Sequence, residues 1–296
     1  MEERLAEIGF IGLGVMGEPM CRNLAGKSGR VVRGFDVREE PLARLAGHGV
    51  LATANPNELA DHCGVIFLSL PSGELVAEIC EGANGLLARM SAGDILVDMS
   101  TTPVDLTRRL AERAAERGVH FADAPIARTR VAAEQGSLSI TVGADERTYA
   151  AINPLLACCG TDLTHCGPVG SGQVVKILNN MVMMETVVAL SEALAIANRA
   201  GVDGATLFDA FAKGSADSFA LRNHGMKAVL PQTFPERAFS AAYAYKDLGY
   251  ALRLAEAVGV QAEGAHVAGA MLRKSIERGD GELYWPVISR VVASGG

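Results

Sequence analysis

The stretch GFIGLGVMG, residues 9–17, limits the fold more than any other part of the chain. An apolar run ends at Ile11, glycines follow at Gly12, Gly14 and Gly17, and the next residues have helical spacing. Pro19 falls in the first helical turn, where no N–H is required. Glycines at these three places allow a tight turn, a close approach of backbone to a pyrophosphate, and helix-on-strand packing. The phosphate charge then lies at a helix N-terminus, which favours it. In a chain with 33 glycines the spacing alone is a weak signal. Its context strengthens it: a second strand, RVVRGFD, ends at Asp36, 22 residues after Gly14. An acid there binds both ribose hydroxyls and repels a 2′-phosphate. Gly12, Leu13, Gly14, Val15, Met16, Gly17 and Asp36 are therefore expected to bind NAD in preference to NADP, while Arg38 nearby favours NADP.

Further short apolar runs follow, GVIFLSLP, DILVDMS and VHFADAPI, with helical stretches such as PVDLTRRLAERAAERG between them. Strands apolar on both faces, alternating with helices, predict a doubly wound, mostly parallel α/β sheet. GSLSITVGA and LTHCG extend it. After Pro168 no convincing strand is visible. The spacing predicts a long helix of about 28 residues from GSGQVVKILNN onward, apolar almost all round and so expected to be buried between domains or subunits. Further helices are predicted in DGATLFDAFAKG, FSAAYAYKDLGYALRLAEAVG and EGAHVAGAMLRKSIERGDG. The expected layout is a nucleotide-binding domain over residues 1–167 and an all-α domain over 168–296, joined by the long helix.

Apolar residues make up 49% and charged residues 21%, with a mean hydropathy of +0.20, which describes a globular chain. A net charge of −7 argues against a nucleic-acid partner. No apolar run is expected to reach membrane-spanning length, so no membrane is expected as a partner. The acidic start MEERLAEIGF does not resemble a signal peptide. Six cysteines show no CxxC pair and no His/Cys spacing that completes a metal site. Buried thiols in a reducing cytoplasm, and no metal, are expected.

Lys176, Asn179 and Asn180 stand at i, i+3 and i+4 on the long helix, and Met183 continues their face. A lysine and two amides on an otherwise apolar helix need partners. One reading is a polar patch that Lys176 leaves by snorkelling. The other is a desolvated lysine acting as general acid/base on an alcohol or carbonyl, with Asn179, Asn180 and Met183 beside the substrate.

These motifs, in order, resemble the β-hydroxyacid dehydrogenase family, which includes 3-hydroxyisobutyrate dehydrogenase and tartronate semialdehyde reductase. The resemblance runs through GFIGLGVMGEPMCRNL, DAPI…GSL, GSGQVVKILNN and KDLGYAL. It implies a Rossmann domain joined to an all-helical domain, an active site in the cleft, and a homodimer or homotetramer built through helices. It implies Lys176 as catalytic acid/base and Asn180 as a substrate contact. By the same resemblance Leu70, Pro71, Thr101 and Lys246 lie along the cofactor, and Asp247 supports the local structure. A non-catalytic nucleotide-binding relative is the alternative from another class, and it would be expected to lack the lysine.

The chain departs from the family at one place. Most members carry a serine and two glycines after DAP-[IV]; here Ala127, Arg128 and Thr129 stand instead. Loss of the serine hydroxyl weakens the usual carboxylate site, while a guanidinium offers a fork of donors to an anion. Sulfolactaldehyde reductases of the family are similar here, with GRT in place of ART. Ala127, Arg128 and Thr129 are thus expected to contact the anionic end of a short semialdehyde or hydroxy acid, with Arg128 facing Lys176. Sulfolactaldehyde leads, followed by 3-hydroxyisobutyrate, 4-hydroxybutyrate or tartronate semialdehyde chemistry.

Overall fold

A computed structural model describes residues 7–82, 84–236 and 238–294. The chain divides into two compact units, one up to Lys176 and one from Ile177. Residues 1–6, read above as an acidic lead into the first strand, lie outside the described residues.

The first unit alternates strands and helices: β1 (Glu7–Ile11), α1 (Gly17–Lys27), β2 (Val31–Phe35), α2 (Glu39–Ala46), β3 (Val50–Ala52), α3 (Pro56–His62), β4 (Val65–Leu68), α4 (Gly73–Glu81), α5 (Leu86–Arg89), β5 (Ile95–Asp98), α6 (Val104–Ala115), β6 (His120–Asp123), β7 (Ile126–Ala127), α7 (Arg130–Gln135), β8 (Leu138–Gly143), α8 (Glu146–Leu156) and β9 (Gly160–Gly167). One sheet runs in the order β3-β2-β1-β4-β5-β6-β8-β7, with β9 paired to β8. Strands β1 to β6 all run parallel to one another. Strand β8 is antiparallel to β6 and β7. The chain leaves β1 in one direction for β2 and β3 and in the other for β4 to β6, which makes the C-terminal ends of β1 and β4 the switch point where such sheets bind ligands.

The apolar runs explain this sheet residue by residue. Val65 and Phe67 of β4 pack into one core layer and Ile66 and Leu68 into the other; Ile95 and Val97 against Leu96 do the same in β5. A strand buried on both faces has no polar side to show, so it reads as a continuous apolar run. Strands β3 and β7 hold three and two residues. Neither is long enough for a period to show in the sequence.

Helix α9 (Ser171–Arg199, 29 residues) crosses from the first unit into the second. By length and by a mean hydropathy of 1.4 over its most apolar 18 residues it could span a bilayer, which corrects the expectation that no run approaches that length. Those 18 residues are 44% buried inside the protein, and Asn180 within the helix is hydrogen-bonded to another buried side chain. Internal packing accounts for that part of the hydropathy. The helix is not buried all round: Val175, Leu178, Val182 and Ile196 stay exposed.

The second unit continues with α10 (Gly204–Phe211), α11 (Ala241–Ala257), α12 (Glu263–Ser275) and α13 (Ile288–Ala293). Asp203 caps α10 by accepting from the Thr206 N–H at 2.9 Å, and Ser240 caps α11 by accepting from the Tyr243 N–H. Phe208, Leu248, Leu272, Trp285 and Ile288 form its interior. Two features were not legible in the sequence. Leu221–Val229 is π-helical, with the Leu230 N–H donating to the Gly225 carbonyl five residues back. Two isolated antiparallel bridges, Glu236 with Leu283 and Ser240 with Tyr284, stand where no extended pairing was expected.

Candidate active site

The glycine turn is built as its spacing predicts. Gly12 has φ 91°, and a Cβ there would stand 2.2 Å from the Ser69 carbonyl oxygen. A Cβ on Gly17 would meet the Gly12 carbonyl oxygen at 1.9 Å, so the third glycine lets α1 start hard against the turn. Gly14, in contrast, has nothing within 4 Å of where its Cβ would lie. Leu13 is buried, Met16 half-buried and Val15 exposed. The Gly12 N–H donates to the Phe35 carbonyl at 3.0 Å and the Leu13 N–H to the Asp36 carboxylate at 2.6 Å. The other Asp36 oxygen accepts from the Arg38 N–H at 2.9 Å and from its Nε at 3.1 Å. Burial works to raise the Asp36 pKa, yet the bonds from Arg38 and Leu13 outweigh it and hold the carboxyl below its usual range. Open space at Gly14, at the start of α1, and an ionised acid just beyond β2 fit the diphosphate and ribose of a dinucleotide. Arg38 places a guanidinium at the same end.

Beside this turn lies a buried polar network that no single motif announces. Asp98 and Asp123 are register partners at the ends of β5 and β6, and both are fully buried. Asp98 accepts from the Ser100 N–H at 2.9 Å and the Thr102 hydroxyl at 2.6 Å. Asp123 accepts from the Gly170 N–H at 2.6 Å with one oxygen and the Gln173 N–H at 2.7 Å with the other. Gln173 accepts from the Thr102 N–H at 3.1 Å and donates to the Ser100 carbonyl at 2.8 Å. The Ser100 hydroxyl accepts from the Leu70 N–H at 2.9 Å. Leu70, exposed Pro71 and half-buried Thr101 thus sit on two loops that share Ser100. Burial pushes the Asp123 carboxyl up to about 6 against the pull of its two N–H donors, and it raises Asp98 as well.

Lys176 lies in the second turn of α9, half-buried, three residues beyond Gln173. Along the same helix Asn179 is exposed, Asn180 is 2% exposed and Met183 is half-buried. Asn180 donates to Asp247 on α11 at 2.9 Å and accepts from Asn179 at 3.4 Å. Lys246 pairs with Asp247 at 3.2 Å and stands 4.2 Å from the Tyr243 ring centroid.

The loop of Ala127, Arg128 and Thr129 carries strain. Arg128 has φ 86°, in the region that favours glycine, and Gln232 is the other non-glycine residue with positive φ among those described. Ala127 is paired to Ser139, and Thr129 precedes α7 without capping it through its side chain. The Arg128 guanidinium is already engaged. It donates to the Ser137 carbonyl at 2.7 Å and the Thr161 hydroxyl at 3.3 Å, and it pairs with Asp162 at 2.7 Å. The start of α9 meets β8 further along, where the Thr141 hydroxyl donates to the Gly172 carbonyl at 3.1 Å. Arg130 pairs with Glu134 on the exposed side of α7. No group of three or more potential metal-ligating side chains is found among the described residues.

A nucleotide turn of this build, in a unit closed by a lysine-bearing helix, is that of an NAD(P)-dependent oxidoreductase. Residues 7–167 match the family described as the NAD binding domain of 6-phosphogluconate dehydrogenase, and residues 170–283 the one described as NAD-binding of NADP-dependent 3-hydroxyisobutyrate dehydrogenase. The chain belongs to the β-hydroxyacid dehydrogenase family, whose members oxidise or form CH–OH groups. It is 36% identical to 2-(hydroxymethyl)glutarate dehydrogenase of Eubacterium barkeri, over 84% of this chain and 82% of that one. It is 34% identical to 2-hydroxy-3-oxopropionate reductase of Escherichia coli, over 85% of each. A solved structure of Mycobacterium tuberculosis 3-hydroxyisobutyrate dehydrogenase with L-serine superposes with a TM-score of 0.89 at 29% identity, covering 97% of this chain and 99% of that one.

Sequence reasoning missed Asp98, Asp123 and Gln173. A signal was present: DILVD and HFAD each end an otherwise apolar run on an acid, and an acid there has to be satisfied by the chain that follows.

Proposed function

We propose that the chain interconverts a short anionic semialdehyde and its hydroxy acid, with Lys176 as general acid/base and NAD preferred over NADP. The observation that carries this reading is Lys176 on α9, one turn beyond a helix start pinned to the sheet by buried Asp123 and Gln173. A bound nicotinamide supplies the hydride in reduction and accepts it in oxidation. The Lys176 ammonium donates a proton to the carbonyl oxygen as it gains negative charge, and the neutral amine takes that proton back in the other direction. Asn179, Asn180 and Met183 follow Lys176 at helical spacing, which supports their place as substrate contacts. Gly12 to Gly17, Asp36, Leu70, Pro71, Thr101 and Lys246 are the proposed cofactor contacts. Asp36 supports NAD, because its carboxylate would repel a 2′-phosphate; Arg38 moderates that preference.

Ala127, Arg128 and Thr129 are proposed to receive the substrate's anionic end. The Arg128–Asp162 pair is solvent-exposed, so it holds weakly, and a substrate anion can take the place of Asp162. The ART triplet supports a sulfonate, with sulfolactaldehyde as the specific candidate. The names of the relatives support a carboxylate such as 3-hydroxyisobutyrate, 2-(hydroxymethyl)glutarate or tartronate semialdehyde. Six cysteines free of disulfides suit the cytoplasm, and the exposed apolar side chains of α9 suit a homo-oligomer built through helices.

Steady-state kinetics on sulfonate and carboxylate semialdehydes, each with NADH and NADPH, test the proposal. Lys176→Ala should lower kcat by roughly 10²–10⁴-fold while leaving NADH affinity unchanged. Arg128→Ala should lower kcat/KM for the anionic substrate and narrow its margin over a neutral aldehyde. Full activity of Lys176→Ala would refute the catalytic assignment, and unchanged kinetics of Arg128→Ala would refute the anion assignment.

A further inference from the structure

We infer that Asp123 and Gln173 form a clasp that positions Lys176 against the loop carrying Thr101, making them positioning residues for the reaction. The inference rests on the reading of Lys176 as the acid/base.

Four observations within the first unit lead to it. Helix α9 begins at Ser171, and its first intrahelical bond runs from the Val174 N–H to the Gly170 carbonyl. The N–H groups of Gly170 and Gln173 have no earlier turn to bond to, and a single carboxylate from the end of β6 accepts both. A capping side chain usually comes from the helix's own first residues. Here it comes from 47 and 50 residues away, so it sets where the helix starts relative to the sheet as well as satisfying its end.

Space for the carboxylate is reserved. A Cβ on Gly143 would lie 2.3 Å from one Asp123 oxygen, and a Cβ on Gly172 would lie 2.8 Å from the other and 2.5 Å from the Thr141 carbonyl. Glycine at both places is therefore a packing requirement of the clasp.

The second half of the clasp is the Gln173 side chain, which is fully buried. It holds Thr102 through its oxygen and Ser100 through its nitrogen, one residue on each side of Thr101. Asp98 braces the same loop from beneath through Ser100 and Thr102. Through Ser100 the network reaches Leu70. Both loops proposed to line the cofactor and the helix start that carries the lysine are thus bonded to one another by side chains that are themselves buried. Lys176 follows Gln173 by three residues, so a shift of the helix start moves the lysine with it.

Gln173→Met keeps the volume and the helix but removes both bonds to the Thr101 loop. It should lower kcat by about 100-fold, the scale expected for a misplacement of the order of 1 Å. KM for substrate and the dissociation constant for NADH should stay within about twofold of wild type. Hydrogen–deuterium exchange of the amides in residues 170–176 should quicken in the cofactor-free protein. Gln173→Glu keeps the acceptor for Thr102 and loses the donor to Ser100; it should fall between wild type and Gln173→Met, and it serves if Gln173→Met does not fold. A folded Gln173→Met with wild-type kcat overturns the clasp. So does a fall in melting temperature with kcat per folded molecule unchanged, since that is a structural role alone. Lys176→Ala, assayed in parallel, separates the two ideas. An inactive Lys176→Ala beside a fully active Gln173→Met overturns the clasp and leaves the acid/base reading standing, whereas an active Lys176→Ala overturns both.

Discussion

Arg128 holds a backbone conformation that its side chain does not favour. Its φ of 86° lies in the region that favours glycine, and three hydrogen-bonding partners fix its guanidinium. Strain of this kind persists where surrounding structure over-determines it, and it concentrates at functional sites. Arg128→Gly and Arg128→Ala both delete the guanidinium, but only glycine relieves the backbone. The glycine variant should be the more stable of the two by about 1 kcal/mol, read from chemical denaturation. Equal stabilities would show that the backbone there is relaxed. The unusual residue was visible in the sequence as a break in a pattern. Its engagement with Asp162 was not, because Asp162 lies 34 residues further along and meets it only across β8.

Helix α9 was legible as an element, and so were the polar side chains on one of its faces. Which of two adjacent amides is buried was not, because Asn179 and Asn180 have the same chemistry and flank the same arc. The structure decides it: Asn180 is buried and bonded to Asp247, while Asn179 is exposed. Asn180→Ala should therefore cost about 1–3 kcal/mol by removing a donor from a buried carboxylate. Asn179→Ala should stay within about 0.5 kcal/mol of wild type. Urea titrations of the two variants check the contrast, and similar losses would refute it. The short strands β3 and β7 and the π-helical stretch Leu221–Val229 escaped the sequence for a related reason. Two or three residues carry no period, and a π-helical stretch arises from packing and not from a residue pattern.

Two properties belong to the molecule as a whole. Burial, with a smaller contribution from Lys227, lowers the His224 pKa to about 4 from an ordinary 6.5. The unfolded chain then binds the extra proton between pH 6.5 and 4 while the folded chain does not, so stability falls as pH drops through that window. The margin of wild type over His224→Asn should shrink across it by up to roughly 3 kcal/mol, measured as melting temperature against pH; a constant margin would contradict the buried neutral imidazole. The proposed oligomer is tested on α9, where Val182 is 55% and Ile196 67% exposed. Light scattering should show a dimer or tetramer that Val182→Glu shifts toward monomer, and a monomeric wild type would count against it. The sequence by itself determined the alternation of elements, the glycine turn and the lysine on its helix. Those features depend on local periodicity and on what single residues can do at fixed spacing. Only the tertiary structure decided that Asp98, Asp123 and Gln173 meet and that Arg128 turns to Asp162. Such pairings join residues 34 to 73 positions apart, and what selects them is the requirement that every buried polar group find a partner.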